Sequence, residues 1–480
     1  MGSAPYGGTG SDRQDVYEDG VSFVRIAVVG AGYVGLVTGT TFAYLGHQVS
    51  LLDIDPHRVD DINAGRTPIF EAHLPGLLED LVSRGQLTAT QDPAACIPAA
   101  HVIFIAVSTP PKASGEADMA AVKAASTTVG RFLGSDHRSV VVTKSTVPIG
   151  SANAVRLWIE DGIGERSTGD ATPVFAVASN PEFLREGQAV ADSFYPDRIV
   201  WGVDDAWAGE MLDELYRPLA QQSFTPPNGL PRPQGLVRVP VYQADRVSVE
   251  MIKYAANAFL ATKISFANEM AAISERVGAD VVSVMDGIGM DSRIGRGFLN
   301  AGIGYGGSCF GKDLAALVHT AREYGLEPRL IESTRVVNEE QRQAVVQKLL
   351  GALKTLKGRR IALLGLSFKP GTDDLRDAPS ETIIRVLVRR EARVIAYDPV
   401  AIPHARRQWA DLEVRYAASA EEALSGADAA VLVTEWPEFL ALDWTHIATT
   451  MARPLILDGR NALDGDALRG AGFEYIGIGR

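Results

Sequence analysis

Short apolar runs, each followed by a stretch with helical spacing, recur in the first part of the chain and again near its end. Unbroken apolar runs of this length predict strands that are buried on both faces, as in parallel sheets. Strands are predicted at residues 25–29, 48–52, 101–107, 139–144 and 174–178, and then at 359–365, 393–399, 429–433 and 454–458. Strands that alternate with helices in this way are typical of an α/β fold.

The region between these two series has helical spacing instead. A long helix is predicted at about residues 246–277, and helical patterning resumes from residue 314 to about 356, with Asn338 and Arg342 on one face. The predicted fold class is α/β, with two doubly wound Rossmann-like domains joined by a central helical region that contains a long helix. We predict a disordered N-terminal lead, a first Rossmann domain, a Pro-rich surface loop, a central helical region with a cysteine loop and a second Rossmann-like domain at residues 1–24, 25–220, 221–242, 243–345 and 346–480.

The first predicted strand runs into a glycine-rich turn that is typical of dinucleotide sites. Gly30 would make the tight turn, Gly32 would let the backbone approach a pyrophosphate, and Gly35 would allow close packing of helix on strand. Asp53 ends the second strand, where its carboxylate would bond ribose hydroxyls and repel a 2′-phosphate. The pattern therefore favours NAD over NADP, and the alternative is a glycine turn that binds nothing.

Three polar residues follow successive strands of the first series: Thr109, Thr146 and Glu182. Ligands of open parallel sheets bind just beyond the carboxyl ends of the strands. Residues of the Ser, Thr and Asn type in turns also bond nearby backbone, which is the alternative for each of them taken singly.

The most distinctive stretch surrounds Cys309, which lies among four glycines, with Lys312 and Asp313 three and four residues further on. A thiol in such a loop predicts a covalent nucleophile, and the alternative is a packed, inert cysteine. Lys253 and Asn257 are four residues apart on the long helix and share a face. Lys253 is either a partly buried functional cation or a lysine that reaches the edge of a core helix.

Composition limits the functions that remain open. The chain has 480 residues, 46% of them hydrophobic, and a formal net charge of −13, which argues against general nucleic-acid binding. Its two cysteines are far apart and favour a reducing, cytoplasmic setting. No apolar run approaches the ~20 residues of a membrane span, so we expect no membrane segment, and we expect no metal site.

The ordered motifs together resemble the UDP-glucose/GDP-mannose dehydrogenase family over about residues 25–480, and the UDP-glucose branch in particular. One departure is the Pro-rich stretch at 221–240, and another is Gly311, where many members of the family have Pro or Gln. The motifs are GAGYVG at 30–35, VSTPPK at 107–112, KSTVPIGS at 144–151, SNPEFLREGQA at 179–189, EMIKYAANAFLATKISFANE at 250–269, RIGRGFLNAGIGYGGSCFGKD at 293–313, FKPGTDDLRDAPS at 368–380, TEW at 434–436 and DGRN at 458–461.

The resemblance implies oxidation of UDP-glucose to UDP-glucuronate with two NAD, through a thiohemiacetal and a thioester on Cys309. It implies that Lys253 stabilises the oxyanion, that Asp313 acts as a base through a water, that Glu182 assists hydrolysis, and that Thr146 and Asn257 place the sugar or the water. It also implies a homodimer or higher homo-oligomer formed through the central helices, with Arg293 reaching the neighbouring subunit's site.

The binding residues implied by the resemblance fall into two sets. For the cofactor they are Gly30, Gly32, Tyr33, Val34, Gly35, Asp53, Arg58, Thr109, Thr146, Glu186 and Arg342. For the sugar nucleotide they are Glu182, Phe183, Leu184, Lys253, Asn257, Arg293, Phe298, Leu299, Gly306, Phe368, Lys369 and Arg460. Lys369 and Arg460 would supply cations for the diphosphate.

Three alternatives stay open at this point. The sugar nucleotide could be GDP-mannose or a UDP-N-acetyl-hexosamine. A two-electron β-hydroxyacid-type dehydrogenase shares the glycine-rich domain and the helical Lys, but it lacks the cysteine loop and the second α/β domain. A nucleotide-binding protein without activity would not need Cys309, Lys253, Asp313 and Glu182 together.

Overall fold

The computed structural model describes residues 24–166 and 171–480, so the predicted N-terminal lead lies outside the described residues except for Val24. Within these ranges the chain forms two mixed α/β units and a group of central helices, and this confirms the predicted fold class.

Eight strands of the described residues form the first sheet, in the order β3-β2-β1-β4-β5-β6-β7-β8. Neighbouring strands are parallel except for β6 and β7, which are antiparallel. The strands are β1 (Arg25–Val29), β2 (Gln48–Leu52), β3 (Leu87–Thr90), β4 (Val102–Ile105), β5 (Arg138–Thr143), β6 (Val174–Ser179), β7 (Ile199–Val203) and β8 (Val241–Gln243). The order 3-2-1-4-5-6 of the first six is that of a dinucleotide-binding fold.

Helices cover both faces of this sheet, and the pattern of β1 shows why its residues are apolar throughout. Ile26 and Val28 pack into the core on one face, and Ala27 and Val29 pack into the core on the other, because successive side chains of a strand point to opposite faces. The helices are α1 (Tyr33–Tyr44), α2 (Pro56–Asn63), α3 (Leu74–Ser83), α4 (Ala120–Phe132), α5 (Ser151–Gly164), α6 (Ala189–Phe194) and α7 (Ala206–Gln221), with a 3₁₀ turn at Pro93–Ala95.

The Pro-rich segment before β8 is more than the surface loop that the sequence predicts. Leu230 and Val239 are buried in the core of the first unit, and Tyr195 Oη donates to Leu230 O at 2.8 Å. The segment therefore contributes side chains to this core before the chain enters the central helices.

The central helices begin with α8 (Arg246–Val277), which has the bounds that the sequence predicts. Asp245 caps its start by accepting from Ser248 N at 2.8 Å, and Gly278, with φ of 78°, ends it. The others are α9 (Val281–Gly289), α10 (Phe310–Glu323) and α11 (Arg329–Leu353).

The prediction of continuous helical patterning from residue 314 to about 356 was wrong at one point. The chain breaks between α10 and α11, where Gly325 adopts φ of 73° and Pro328 precedes the start of α11. Glycine in this conformation ends a helix, and proline is tolerated only at a helix start. The apolar spacing continues across the break, which is why spacing alone did not reveal it.

The second sheet repeats the topology of the first. Its strands within the described residues are all parallel and lie in the order β11-β10-β9-β12-β13-β14. They are β9 (Arg360–Leu364), β10 (Arg393–Tyr397), β11 (Val414–Tyr416), β12 (Ala429–Leu432), β13 (Leu455–Asp458) and β14 (Glu474–Ile476). The helices are α12 (Pro379–Arg389), α13 (Ile402–Gln408), α14 (Ala420–Leu424), α15 (Pro437–Leu440), α16 (Trp444–Thr450) and α17 (Gly465–Gly470).

Candidate active site

A cavity of about 1270 Å³ lies at the carboxyl ends of the first sheet's strands. Its wall includes the glycine-rich turn after β1, the turns after β4, β5 and β6, and the start of α10 with Cys309. Residues 376 and 377 of the second unit complete it. The cavity therefore joins the predicted dinucleotide site to the predicted nucleophile.

The glycine-rich turn has room for a dinucleotide. Gly30 adopts φ of 97°, and a Cβ built on Gly32 meets no atom within 4 Å, so the backbone at the start of α1 is open to the cavity. No side chain caps the amino end of α1, which leaves its N–H groups for an anion. Asp53 lies at the rim of the cavity, where it accepts from Ala31 N at 2.7 Å and from Arg58 Nη1 at 3.1 Å.

Cys309 lies immediately before the first turn of α10, where Ser308 Oγ is 3.6 Å from its Sγ. Burial raises the pKa of the Cys309 thiol, and the carboxylates of Glu182 and Asp313 raise it further. Lys253 and Ser308 act in the opposite direction, but they do not outweigh these effects. The thiol is therefore neutral in the resting cavity, unlike the thiolate of many cysteine enzymes.

Lys253 and Glu182 form a buried ion pair beside this thiol. Lys253 Nζ lies 2.9 Å from Glu182 Oε1 and donates to Glu182 O at 2.7 Å. Burial acts to lower the pKa of Lys253, but Glu182, Asp313 and Cys309 outweigh it and the pKa is raised. Burial likewise acts to raise the pKa of Glu182, but Lys253 outweighs it and the pKa is lowered. Both groups are therefore charged in the folded protein.

Asp313 lies one helical turn after Cys309 on α10 and is 1% exposed. Its carboxylate accepts from Asn257 Nδ2 at 2.6 Å and from Lys312 Nζ at 2.6 Å. Asn257 is one turn after Lys253 on α8, as the four-residue spacing predicts. Helices α8 and α10 therefore bring the Lys253–Glu182 pair and the Asn257–Asp313 pair close together.

Contacts from α11 and from Arg460, in the turn after β13, hold the cysteine loop in place. Asn338 Oδ1 accepts from Tyr305 N at 2.8 Å, and Arg342 Nη2 donates to Tyr305 O at 2.8 Å. The face of α11 that these two residues share is therefore hydrogen-bonded to the backbone of the loop. Arg460 donates to Val433 O at 2.7 Å and to Gly304 O at 3.1 Å. The second sheet is therefore tied to the same loop.

Comparisons with known proteins identify the family of the chain and the domains of which it is built. Residues 24–220 match the NAD binding domain of the UDP-glucose/GDP-mannose dehydrogenase family, residues 247–340 match its central domain, and residues 362–465 match its UDP binding domain. The chain belongs to this family. The NAD binding domain of the family is the first unit described above, and NAD is its cofactor.

Similar proteins cover nearly the whole chain. The UDP-glucose 6-dehydrogenase TuaD of Bacillus subtilis is 43% identical over 95% of this chain and 93% of its own length. The UDP-glucose 6-dehydrogenase of Rhizobium meliloti is 44% identical over 95% of this chain and 100% of its own. The structure of a UDP-glucose dehydrogenase from Pyrobaculum islandicum superposes with a TM-score of 0.85 at 36% identity, covering 97% of this chain and 99% of that one.

Most of the cofactor residues implied by the family resemblance lie on the cavity wall. They are Gly30, Gly32, Tyr33, Val34, Asp53, Arg58, Thr109, Thr146 and Glu186. Gly35 is behind the wall, where its Cα faces Gly30 O so closely that a side chain would not fit, as its packing role predicts. Arg342 does not line the cavity, because its guanidinium is used on Tyr305 O and on Asp377 Oδ1 at 2.7 Å.

The predicted sugar-nucleotide residues are divided between three places. Glu182 and Leu184 line the cavity, whereas Lys253, Asn257 and Phe183 are not part of its wall. Lys253 pairs with Glu182 and its Nζ is 5.4 Å from the centre of the Phe183 ring, and Asn257 donates to Asp313. The loop and second-unit residues Leu299, Gly306, Phe368, Lys369 and Arg460 lie around the cysteine loop, outside the cavity wall itself. Phe298, with φ of 64°, and Arg293 are on an exposed loop, and Arg293 pairs there with Asp291.

Several residues of the cavity were not assigned to it from the sequence. Arg376 lines the wall and its Nη2 lies 3.1 Å from Glu186 Oε1, although arginine in a turn is usually exposed on the surface. Burial raises the pKa of Glu186 to about 7, with Asp374 adding to the effect and Arg376 opposing it. Lys144, the first residue after β5, also lines the wall and was missed because lysine after a strand is normally exposed.

In residues 24–166 and 171–480, no helix is long and apolar enough to cross a bilayer. The same ranges contain no group of three or more His, Cys, Asp or Glu side chains placed to hold a metal ion.

Proposed function

We propose that the chain oxidises the C6 alcohol of UDP-glucose to the carboxylate of UDP-glucuronate, with two NAD, through covalent intermediates on Cys309. The observation that carries the proposal is that one cavity contains both the open glycine turn of an NAD site and a cysteine beside a buried Lys253–Glu182 pair. A dehydrogenase that stops at the ketone or aldehyde has no use for such a thiol.

NAD fits the first part of the cavity. Gly30 and Gly32 leave space for the pyrophosphate at the start of α1, and Asp53 presents its carboxylate to the adenosine ribose. When bound, NAD supplies the hydride acceptor for each of the two oxidations. Thr109 and Thr146 line the cavity on the side of Cys309, and there they orient the reactive end of the cofactor.

Cys309 traps the aldehyde that the first oxidation produces. Its Sγ forms a bond to the C6 carbon, and the thiol proton passes to the carbonyl oxygen, which gives a thiohemiacetal. A neutral thiol suits this addition because it brings the proton with it. Lys253 stabilises the negative charge on the C6 oxygen when the alcohol and the thiohemiacetal lose their protons and when water adds to the thioester, and its own charge is maintained by Glu182.

Two carboxylates accept the protons that the other steps release. Asp313 accepts the proton of the C6 hydroxyl through a water, in a position fixed by Asn257 and Lys312. In the second oxidation the thiohemiacetal loses a hydride from C6 to NAD and its hydroxyl proton through the water to Asp313, which has by then released the first proton to solvent, and a thioester results. Water then adds to it, Glu182 accepts the proton of that water, and the C–S bond breaks to release the carboxylate and the Cys309 thiol.

The nucleotide part of the substrate lies between the first unit and the second. Phe183 and Leu184 from the first unit and Phe298, Leu299 and Gly306 from the loop contact the sugar. Phe368, Lys369 and Arg460 bind the uridine diphosphate, with the two cations on its phosphates. Arg342 acts on the cofactor only indirectly, through its hydrogen bond to the backbone of the cysteine loop.

The proposal includes a cytoplasmic protein that assembles as a homodimer or larger homo-oligomer. Support for assembly comes from α8, on which Phe259, Phe266 and Ile273 are exposed at seven-residue spacing. Residues seven apart lie on one face of a helix, so these side chains form an apolar stripe that a second α8 can cover. The partner would bring Arg293 to this chain's site.

The experiment is an assay with NAD and a panel of sugar nucleotides. We expect UDP-glucose to be oxidised faster than GDP-mannose and UDP-N-acetyl-hexosamines, with two NADH formed for each UDP-glucuronate. One NADH for each sugar would contradict the four-electron reaction, and faster turnover of another sugar nucleotide would contradict the substrate. Cys309→Ser should form no UDP-glucuronate at an appreciable rate, whereas Cys96→Ser, a change in the core of the first unit, should retain both products.

A further inference from the structure

Lys144 is a buried ammonium on the wall of the cavity, and the chemistry proposed above does not use it. The residue is 8% exposed and lines the same cavity as Cys309 and Glu182. Lysine is almost never fully buried unless it is paired with an acid. Lys144 Nζ donates to Asn180 Oδ1 at 2.8 Å and lies 3.5 Å from Asn180 O, and no carboxylate oxygen of the described residues lies within 4.0 Å of it.

Asn180, which accepts the hydrogen bond from Lys144, anchors the turn that carries Glu182. It follows β6 directly and stands two residues before Glu182. Its Nδ2 donates to Val200 O at 2.7 Å, and its Oδ1 also accepts from Tyr216 Oη at 2.5 Å. Lys144 is therefore the charged member of a buried network that orients this turn.

The ammonium also acts on Glu182 through its charge. Burial lowers the pKa of Lys144 to about 8, while Glu182 raises it and Lys253 lowers it. In return, Lys144 adds to the effect of Lys253 in lowering the pKa of Glu182. The titratable groups that face Lys144 are thus Glu182 from its turn and Lys253 from α8, with Tyr216 of α7 beyond Asn180.

We propose that Lys144 is a positioning residue, which holds the turn that carries Glu182 and supplies a second buried positive charge that keeps Glu182 ionised. The role of Glu182 as the base for hydrolysis, on which this rests, belongs to the proposed function. A buried charge with no acid partner destabilises a fold. Its presence in the cavity wall is explained if the charge serves the reaction rather than stability.

The first test needs no substrate and compares the thermal unfolding of the wild type and Lys144→Met between pH 6 and pH 10. The pKa of Lys144 is lower in the folded protein than in the unfolded chain, so the unfolded chain binds more protons between about pH 8 and about pH 10.4. The stability contributed by Lys144 therefore rises with pH across this window. We expect Lys144→Met to have the higher Tm at pH 7, by a few degrees, and to lose that advantage by pH 10.

The second test follows the release of UDP-glucuronate as a function of pH. The acidic limb of the rate should move to higher pH by about half a unit or more in Lys144→Met, because Glu182 loses a neighbouring positive charge. Lys144→Arg, which keeps the charge, should restore the position of the limb. Lys144→Gln, which keeps a donor for Asn180 without the charge, should show the shifted limb. Tyr216→Phe is the matched control, since it removes the other donor to Asn180 Oδ1 and should leave the limb in place.

Each outcome bears on the inference in one direction. A lower Tm for Lys144→Met than for the wild type at pH 7 would show that the buried Lys144 ammonium does not destabilise the fold. This result would contradict the inference whether or not UDP-glucose is a substrate. An unshifted limb in both neutral variants, or the same shift in Tyr216→Phe, would overturn the charge effect on Glu182. If Lys144→Met does not fold, Lys144→Gln decides both points. Failure of the wild type to oxidise UDP-glucose would refute the proposed function and leave the stability test to decide the buried charge of Lys144.

Discussion

At the scale of single residues, the chemistry depends on charges that are buried together and compensate one another. Lys253 and Glu182 are each ionised because of the other, and Asp313 is held by Asn257 and Lys312. Burial, by contrast, raises the pKa of the Cys309 thiol, and the nearby carboxylates raise it further, so that Lys253 and Ser308 do not bring it back to that of a free cysteine. The nucleophile is therefore kept neutral until an aldehyde is present, which protects it from reaction with other electrophiles.

This arrangement predicts slow alkylation of Cys309 in the free protein. The rate with iodoacetamide should keep rising with pH beyond about 8.5, the pKa of a free cysteine, because the thiol is protonated below its raised pKa. Asp313→Asn should speed alkylation at pH 7.5, up to about tenfold for each unit by which the thiol pKa falls. Mass spectrometry of the labelled peptide measures this.

Two controls accompany the alkylation measurement. Cys309→Ser should take up no label under the same conditions, because burial raises the pKa of the remaining thiol, Cys96, to about 11. A wild-type rate that levels off below pH 8 would show that Cys309 is a thiolate and would contradict the neutral nucleophile.

At the scale of elements, the strands and the long helix could be predicted because their patterns are local. β1, β2 and α8 have the predicted bounds, since an apolar run or a helical stripe with clear ends needs no other information. The break between α10 and α11 was missed because apolar spacing continues through Gly325 and Pro328. Those two residues were the available signal.

The candidate site was predictable to the extent that strand ends and helix spacing place residues. Glu182 and Thr146 follow parallel strands, so the topology alone brings them to one edge. Lys144 and Arg376 could not be assigned in this way, because their burial results from packing between distant segments. Arg342 shows the reverse case: the sequence places it on the correct helix face, but only the tertiary contacts reveal that its acceptor is the backbone of Tyr305.

The cysteine loop gives a prediction at this scale. Gly307 adopts φ of 86°, and a Cβ built on it would approach the ring of Phe368 to 2.7 Å. Gly307→Ala should therefore push the loop away from the second unit and displace Cys309. A displacement of about 1 Å reduces turnover by about a hundredfold, and overpacking of this kind costs about 1–3 kcal/mol of stability. Steady-state kinetics and thermal unfolding measure the two effects.

A matched glycine on α11, the helix that is hydrogen-bonded to the cysteine loop, serves as the control. Gly351 of α11 has no neighbour within 4 Å of an added Cβ and does not have positive φ. Gly351→Ala should leave turnover unchanged and stability equal or slightly higher, because alanine is favoured over glycine in helices. Equal turnover in Gly307→Ala and Gly351→Ala would show that the contact with Phe368 does not position Cys309.

At the scale of the whole molecule, the two sheets and the central helices form one working unit around the cysteine loop. The first sheet provides the NAD site, the second unit contacts the loop through Arg460 and Phe368, and α8 provides Lys253. The opposite face of α8 has no cover within the described residues. Phe259, Phe266 and Ile273 are 66%, 44% and 50% exposed there, which is unusual for large apolar side chains in a row on one helix.

The exposed apolar face of α8 predicts that the protein assembles through it. Replacing both Phe259 and Phe266 with glutamate places like charges where two copies of α8 would meet, so the double variant should sediment as a monomer at micromolar concentrations while the wild type sediments as a dimer or larger species. Leu157→Glu, at a 59% exposed position on α5, should not change the assembly. The single variant Phe266→Glu should weaken association without abolishing it. Any turnover that it loses should be partly restored by addition of the inactive Cys309→Ser protein, whose α8 and Arg293 are intact, through mixed dimers. A wild type that sediments as a monomer would contradict both the role of α8 and the contribution of Arg293 to a neighbouring site.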